Sequence, residues 1–207
     1  MDENIQNCDL SKSYYIKEIE DEAHVKHNVF YVNKNILLNE KIIKEIEKYN
    51  CKIIEFGDEF NQPIDNLPSK IKKITFGDSF NQPVDNLPLE IKELYFGRDF
   101  NQSVDNLPYN IQKITFGYNF NQPVYNLPTG LQNLTFGEHF NQSVDNLPSG
   151  LQNLIFNCDW FLQPVNNLPR GLKNLTFGYH FYYSVNNLPT GLQSLTFGIA
   201  TSRYKNV

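Results

Sequence analysis

Hydrophobic positions recur along most of this chain at a spacing of twenty residues, and the same polar residues return with them. Residues 131–150 read LQNLTFGEHFNQSVDNLPSG, and the twenty before them read IQKITFGYNFNQPVYNLPTG. The first half of this unit occurs eight times and the second half seven times, with one interval, near Trp160, of twenty-one residues. Self-similarity at this period predicts a solenoid whose successive coils stack on one another.

The first half of each unit alternates as a β-strand does. Leu134 and Phe136 are two residues apart, so a strand places both on one face. We expect that face to point into the coil and Thr135 to point outward. Gly137 follows in a place that is Gly in nearly every unit, and we expect it to turn the chain with a positive φ. Phe140 begins the return half, whose apolar residues predict the inner lining of an irregular or extended return path.

Two columns of asparagine run through the return halves, and we predict a structural role for both. The first is expected to bond the backbone of the next coil, because tight corners leave amide groups in need of partners. The second precedes Leu-Pro, where a side chain can cap its own turn. The first column comprises Asn61, Asn81, Asn101, Asn121 and Asn141. The second comprises Asn66, Asn86, Asn106, Asn126, Asn146, Asn167 and Asn187.

Residues 1–50 precede the repeats and predict a small α/β cap over the first coil, because a terminal coil exposes an apolar cross-section. We expect a short strand at 13–16, a charged loop or helix face at 18–22, and a hairpin or two short strands within 29–38. Residues 39–50 predict a helix with Asn39 as its N-cap and Asn50 at its end. The predicted domains are therefore the cap at 1–50, the solenoid at 51–198 and a tail at 199–207.

Composition narrows the classes of partner. The formal net charge is −5, so no gain from neutralising phosphates is expected and nucleic acid is not a predicted partner. The N-terminus lacks the apolar core of a secretory signal, and no run approaches eighteen apolar residues, so no membrane partner is expected. Three scattered cysteines fit a reducing, cytoplasmic compartment.

No constellation for catalysis stands out. The sequence holds no nucleophile–base pair, no phosphate-binding glycine loop and no metal-ligand spacing, so neither an enzyme nor a metal or other cofactor is predicted. His24 and His27 are better explained by a solvated helix face than by a metal pair. His139 and His180 occupy matching places in two coils, which indicates repeat position rather than chemistry.

The outward column of the strands is the first candidate surface for a protein partner. Its members we propose for contact are Tyr95, Thr115, Thr135 and Ile155. The alternative is that Thr is simply a good residue for an exposed strand. Binding of ice or carbohydrate by the Thr positions has weak support, because Tyr and Ile interrupt the column.

A second candidate surface lies in the last coils, where aromatic residues gather and the first asparagine column stops. Trp160, Tyr179, Tyr182 and Tyr183 predict a contact patch, since aromatic side chains are enriched where proteins bind one another. The alternative is decay of the repeat near one end, with Trp160 filling the space made by the insertion.

The pattern L-x-x-L-x-F-G-x-x-F-N-Q-P-V-x-N-L-P closely resembles the FNIP repeat, a relative of leucine-rich repeats found in social amoebae and in giant DNA viruses of amoebae. The resemblance covers about three quarters of the chain and implies a leucine-rich-repeat-like solenoid used for protein–protein contact. Many members carry an F-box that links them to ubiquitin ligases, and residues 1–50 show no recognisable F-box. Asn141 stands five residues after Phe136, not three as in ordinary leucine-rich repeats. A return side that is extended rather than helical is therefore expected.

The fold predicted from these observations is a leucine-rich-repeat-like solenoid with a parallel sheet of about eight short strands and a small α/β cap. The predicted function is a non-catalytic interaction module, an adaptor for a cellular or host protein or a ubiquitin-ligase component. The alternative is a structural solenoid that self-assembles, including as a homodimer through one end of the sheet. The expected location is the cytoplasm, that of the host cell if the protein is viral.

Overall fold

One continuous β-sheet of ten strands runs through residues 13–20 and 26–198, the part of the chain that the computed structural model describes. The strands follow one another across the sheet in chain order. They are β1 (Tyr14–Glu20), β2 (Lys26–Val32), β3 (Ile53–Phe56), β4 (Lys73–Thr75), β5 (Glu93–Tyr95), β6 (Lys113–Thr115), β7 (Asn133–Phe136), β8 (Asn153–Phe156), β9 (Asn174–Phe177) and β10 (Ser194–Phe197). Helix α1 (Glu40–Lys48) lies between β2 and β3.

The eight strands β3 to β10 come from the eight copies of the repeat and pair in parallel. Their register repeats the sequence period, so that Leu134 pairs with Ile114 on one side and with Leu154 on the other. The return halves contain turns and extended chain but no helix within the described residues. The predicted leucine-rich-repeat-like solenoid with irregular returns is therefore confirmed.

Two files of phenylalanine rings fill the inside of the coils. Phe76, Phe96 and Phe116 follow one another with ring centroids 5.3 and 5.5 Å apart. Phe116 also stacks on Phe120, in the return half of the same coil, at 3.7 Å. Phe120 in turn stacks on Phe140 of the following coil at 6.1 Å, which forms the second file. Each ring is thus covered by the coils above and below. At roughly 1.5–3 kcal/mol per fully buried apolar side chain, this burial stabilises a coil that has few contacts within itself.

The repeated glycine is required by close packing of the coils, which corrects the expected positive φ. Among the glycines of the described residues, only Gly198 has a positive φ, of 64°. A Cβ at Gly117 would instead collide with the carbonyl group of Gly97, and one at Gly137 with that of Gly117. The backbones of successive coils approach so closely at this corner that no side chain fits between them.

Helix α1 has the ends that the sequence predicts. The Asn39 side chain accepts a hydrogen bond from the Ile42 N–H at 3.1 Å, as an N-cap does. Asn50 has a φ of 49°, and the Cys51 N–H donates to the Ile46 carbonyl at 3.1 Å, which closes the helix in a Schellman-type arrangement.

The N-terminal segment extends the sheet as well as covering it, which the sequence did not predict. Strands β1 and β2 form an antiparallel hairpin, and β2 pairs in parallel with β3. Phe30 of β2 and Ile46 of α1 are buried in the same apolar core as the coils. The core therefore runs without a break from this hairpin into the solenoid.

Three expectations for this segment were wrong. The charged residues Glu18 and Glu20 lie in β1 rather than in a loop or helix, because main-chain pairing with β2 decides their conformation. The turn Asn33–Asn35 does not separate two strands, since only β2 precedes it and residues 36–38 are not in a strand. His27 lies in β2, not on a helix face, while His24 lies outside the described residues.

At the other end, burial of the core decreases. Val185, Leu195 and Phe197 are exposed, although the equivalent residues of earlier coils are buried. Phe181 and Leu192 are half-buried against the core. The predicted tail at 199–207 lies outside the described residues. The exposed apolar residues at this end all belong to residues 179–198.

Candidate functional site

The outer face of the sheet presents one aligned row of side chains from neighbouring strands. Tyr95 pairs with Thr75 on one side and with Thr115 on the other, and Thr135 pairs with Ile155. Each of these five residues is half-buried, while their strand neighbours on the opposite face are buried. The structure therefore places the four proposed contact residues of the first surface side by side on the outer face.

The same row continues into the N-terminal hairpin. Tyr31 pairs with Glu55 on β3 and with Tyr15 on β1, and the two tyrosine rings stack at 4.7 Å. Burial raises the pKa of the Tyr31 hydroxyl to about 12, with the Glu55 carboxylate and Tyr15 adding to the rise. Sequence reasoning missed these two tyrosines because it did not predict that the cap joins the sheet.

The Tyr95 side chain on this outer face is contacted by three charged neighbours. Its hydroxyl donates to the Glu93 carboxylate at 2.7 Å. The ammonium groups of Lys73 and Lys113 lie 5.0 and 5.1 Å from the centre of its ring, within cation–π range. Because the two lysines come from the strands before and after β5, the ring is held from both sides.

The ionisable groups around Tyr95 change one another's pKa values. Burial raises the pKa of the Tyr95 hydroxyl, the hydrogen bond with Lys113 lowers it, and Glu93 raises it further. The hydrogen bond with Tyr95 raises the pKa of the Lys113 ammonium, against the lowering effect of its burial. Lys113 is therefore held in its charged form.

Towards the C-terminal end, the same face becomes neutral. Asn153 donates to Asn133 at 2.7 Å, and Asn174 donates to Asn153 at 2.5 Å, so amide side chains form a ladder across β7, β8 and β9. These residues occupy the register positions that Lys73, Glu93 and Lys113 hold in β4 to β6. The outer face thus has a charged half and an amide half.

The aromatic residues of the second surface lie away from this face, at the corner that follows the strands. Trp160 stacks on the ring of His180 at 4.3 Å, and Nδ1 of His180 is 3.1 Å from the hydroxyl of Tyr182. Tyr183 lies beside Phe181 at 6.1 Å, whereas Tyr179 packs close to Gly198. The structure thus brings Trp160 and Tyr182 together through His180, which sequence reasoning assigned to repeat position only.

Trp160 does not fill the space made by the insertion, because 58% of it is exposed. The extra residue is accommodated by Cys158, which is 1% exposed, and burial raises the pKa of its thiol to about 12. Asp159 then resumes the ordinary pattern, accepting a bond from the Tyr179 N–H as Asp58 does from that of Asp78. The inward side of the coil stays regular, and the unusual residue points outward.

The first asparagine column bonds each coil to the next. The Asn121 side-chain oxygen accepts from the Asn141 N–H at 2.9 Å and from the Gln142 side chain at 3.0 Å. Asn35, in the segment before α1, accepts from the Asn61 N–H at the start of this series. At the other end Asn141 accepts from Leu162, whose side chain has no oxygen to continue the series. The same bond links the remaining pairs, Asn61 to Asn81, Asn81 to Asn101 and Asn101 to Asn121.

The second asparagine column does not cap its own turn as expected. Asn86 donates across coils to the Asp65 carboxylate at 3.1 Å, and Asn106 donates to Asp85 at 3.0 Å. An Asp directly precedes the Asn in these coils. When the coils stack, the Asp carboxylate of one coil lies next to the Asn amide group of the following coil. Both columns therefore connect neighbouring coils.

Charge is separated between the two halves of the repeat, a signal that sequence reasoning overlooked. Between 51 and 198, each strand-containing segment runs from the residue after Leu-Pro to the repeated glycine, and the remaining residues form the return segments. The strand-containing segments hold eight basic and three acidic residues. The return segments hold one basic and ten acidic residues. This separation is visible only when residues are counted by position in the repeat, because the whole-chain charge of −5 averages it away.

The described part of the chain contains no cluster of three or more His, Cys, Asp or Glu side chains that could hold a metal ion. His139 packs edge-on against Tyr118 at 4.4 Å rather than near another ligand. Within the same residues, no helix has the length and apolar character needed to span a bilayer.

Comparison with known proteins agrees with this architecture. A model of the FNIP repeat matches residues 49–79, 64–99, 124–159 and 161–199, which together make up more than half of the chain. The solved structure of CroV588, described as a novel circular LRR protein structure, aligns with a TM-score of 0.61 and 35% sequence identity. The alignment covers 87% of this chain and 31% of the other, so this chain spans about a third of that protein's length. Among proteins with curated descriptions, no sequence matches this one. The chain belongs to the FNIP repeat family, and its solenoid is of the leucine-rich-repeat type.

Proposed function

We propose that this protein is a non-catalytic interaction module whose outer sheet face binds another protein. The observation that carries the proposal is the aligned row of half-buried side chains across β3 to β10, held by a core of stacked rings. A rigid face loses little conformational freedom on binding, so a larger part of each contact contributes to affinity. Within this row, the Tyr95 ring is fixed between the ammonium groups of Lys73 and Lys113, and aromatic residues of this kind are typical of binding hot spots.

Affinity capture from amoebal cell extract, with proteins identified by mass spectrometry, tests this proposal. The wild-type chain is compared with a Thr135→Arg/Ile155→Arg variant, which alters two half-buried positions of the outer face. A matched control, Leu89→Arg/Tyr109→Arg, adds the same two positive charges at exposed positions outside the strands. We expect the first variant to lose the captured proteins and the control to keep them. Equal capture by all three chains would contradict the proposal, and a ubiquitin-ligase scaffold among the proteins lost would identify an adaptor role.

The aromatic corner is a second proposed contact surface. It exposes four large aromatic side chains, those of Trp160, Tyr179, Tyr182 and Tyr183. Exposed aromatic side chains are typical of contact surfaces, because a partner that covers them removes a large apolar area from water. A Trp160→Ala/Tyr183→Ala variant is expected to stay folded and to bind a partner captured as above at least ten times more weakly. An unchanged affinity in the folded variant would remove the corner from the contact surface.

Self-assembly through the C-terminal end is the alternative function. It is favoured by the exposed apolar residues Val185, Leu195 and Phe197 at the last described coil. Light scattering across a concentration series separates the two functions. A mass that rises with concentration, and that returns to the monomer value in a Phe197→Glu variant, supports assembly, whereas a constant monomer mass rejects it.

A further inference from the structure

The lysines beside Tyr95 belong to the strand-containing segments of the repeat, whose net positive charge is opposite in sign to that of the whole protein. Lys73, Glu93 and Lys113 are in register on three consecutive strands. With strands about 4.8 Å apart, the two lysine backbones are separated by about 10 Å. The Glu93 carboxylate lies between the two lysines and accepts a hydrogen bond from the Tyr95 hydroxyl at 2.7 Å, so these three charged side chains carry one net positive charge.

Further lysines lie next to this group along the N-terminal half of the sheet. Lys52, Lys72 and Lys92 each directly precede the strand region of their coil, and backbone hydrogen bonds place them in neighbouring positions. The Lys92 ammonium also bonds the Asn110 carbonyl at 3.4 Å, beside β6. In later coils the equivalent residues are Gln112, Gln132, Gln152, Lys173 and Gln193, so the first three coils hold three of the four lysines at this position. Positive charge is therefore concentrated around β4, β5 and β6.

We propose that the outer face around Tyr95 binds an acidic segment of the partner protein, an inference that rests on the proposed function. Lys73 and Lys113 take carboxylates of that segment, and the Tyr95 ring between them takes an apolar part of the chain. Beyond β6, the amide ladder of Asn133, Asn153 and Asn174 offers uncharged donors and acceptors to the rest of an extended peptide. An extended segment of about ten residues is long enough to cross the eight repeat strands, which span roughly 34 Å.

Two other occupants fit the charges less well. Nucleic acid is a long polyanion, and the ten carboxylates of the return segments lie on the same narrow solenoid and repel it. A second copy has an acidic return side that complements the lysines, but two chains with a net charge of −5 repel each other as they approach. An acidic protein segment of limited length avoids both costs.

Titration with defined probes, followed by nuclear magnetic resonance of the labelled protein, tests this proposal. The probes are three peptides of about ten residues, in which Thr alternates with Glu, with Gln or with Lys, a length matched to the span of the sheet. We expect the Glu-Thr peptide to bind most tightly and to shift the amide signals of β4 to β6. Tighter binding of the Gln-Thr or Lys-Thr peptide would overturn the proposal.

Charge variants then locate the site. Lys73→Glu/Lys113→Glu is expected to weaken binding of the Glu-Thr peptide by roughly tenfold or more, since close opposite charges become like charges. Arg170→Glu/Lys173→Glu changes the net charge by the same amount at exposed positions before β9, four strands from β5, and is expected to have little effect. Equal weakening by the two variants would mean that net charge alone is measured and would reject the site. If the first variant does not fold, Lys73→Gln/Lys113→Gln replaces it, with several-fold weakening as the expected result.

The remaining outcomes distinguish this inference from the proposed function. If captured partners depend on Thr135 and Ile155 but are unaffected by the lysine variants, the sheet face binds a protein and the acidic-segment proposal fails. If no variant of the outer face alters capture, the proposed function itself fails. Tighter binding of a single-stranded DNA oligonucleotide than of the Glu-Thr peptide, or lysine-dependent self-association in light scattering, would assign the face to nucleic acid or to a second copy.

Discussion

The regular coils up to residue 148 and the altered coils from 149 to 198 are built on the same pattern but differ in what they present outside. In the regular coils the asparagine series is continuous, and an Asp precedes the second asparagine in four of the five return halves. In the altered coils one residue is added at Asn157–Cys158, the series ends at Leu162, and exposed aromatic residues appear at the corner.

The core responds very little to these changes. Phe156 and Phe161 stack at 4.3 Å across the insertion, close to the 3.6 Å between Phe136 and Phe140 in the coil before it. The comparison teaches that this solenoid varies on its surface while its interior stays constant as far as Phe177, because each of those interior side chains is fixed by two neighbouring coils. Burial decreases only at the last described coil, where Val185, Leu195 and Phe197 are exposed. It also indicates that the last coils are less firmly held, since the asparagine series ends with the bond from Leu162 to Asn141 and no equivalent bond follows it among the described residues.

The largest expected difference between the two regions comes from the phenylalanine core. Phe116 is 2% exposed, and Phe116→Ala is expected to lower the free energy of unfolding by about 3–5 kcal/mol, because it leaves a cavity between two coils. Phe197 is 49% exposed, and Phe197→Ala is expected to cost about 1 kcal/mol or less. Urea denaturation followed by circular dichroism measures both. Similar losses for the two variants would show that the last coil is as well packed as the middle.

The glycine corner gives the next largest effect. Gly117→Ala is expected to destabilise the protein by about 2–4 kcal/mol, because the new methyl group collides with the Gly97 backbone. Gly150 has only ordinary contacts, at 3.6 Å from the Thr129 carbonyl oxygen, so Gly150→Ala is expected to change stability by about 0.5 kcal/mol or less. Thermal unfolding of the two variants compares them directly. A tolerated Gly117→Ala would mean that the coils are able to separate at this corner.

Exchange of residues in the asparagine series sharpens the comparison in both directions. Asn121→Leu removes the acceptor for the Asn141 N–H and is expected to cost about 1–3 kcal/mol. Leu162→Asn supplies an acceptor to the following coil and is expected to stabilise the protein by about 0.5–1.5 kcal/mol. Denaturation midpoints of the two variants provide the measurement. Destabilisation by both substitutions would show that the altered coils have a different corner geometry.

The smallest expected difference concerns the two buried thiols at high pH. Burial raises the pKa of Cys51 to about 11 and that of Cys158 to about 12, from an ordinary value of 9.0. In the unfolded chain these thiols ionise first, so their contribution is complete below about pH 9 and is lost as the pH rises towards the folded values.

Stability measured from pH 8 to 12 in Cys51→Ala and Cys158→Ala checks this expectation. Each substitution should reduce the alkaline loss of stability by at most about 1.4 kcal/mol per pH unit. The Cys158→Ala curve should diverge from that of the wild type up to a higher pH than the Cys51→Ala curve. An alkaline slope that neither substitution changes would show that both thiols ionise freely in the folded protein.

Much of the fold was predictable because the spacing of apolar residues within and between repeats indicates both the strands and the stacking of the coils. The period gave the stacking, and the alternation of Leu134, Thr135 and Phe136 gave the direction of each side chain. The role of Gly117 was not predictable, because a single unit does not show how close the next coil lies. The candidate surfaces were named correctly as outward positions, but the contacts of Tyr95 with Lys73 and Lys113 depend on which residues become neighbours across strands.

The sequence by itself determined the solenoid, its strand register and the stacked phenylalanine core, since these follow from one pattern repeated at a fixed interval. The tertiary structure decided what happens between coils and at their ends. It joined β1 and β2 to the sheet, placed Cys158 inside and Trp160 outside, and put Tyr95 between two lysines. These features depend on residues far apart in the chain meeting in space, and the repeat pattern does not specify those meetings.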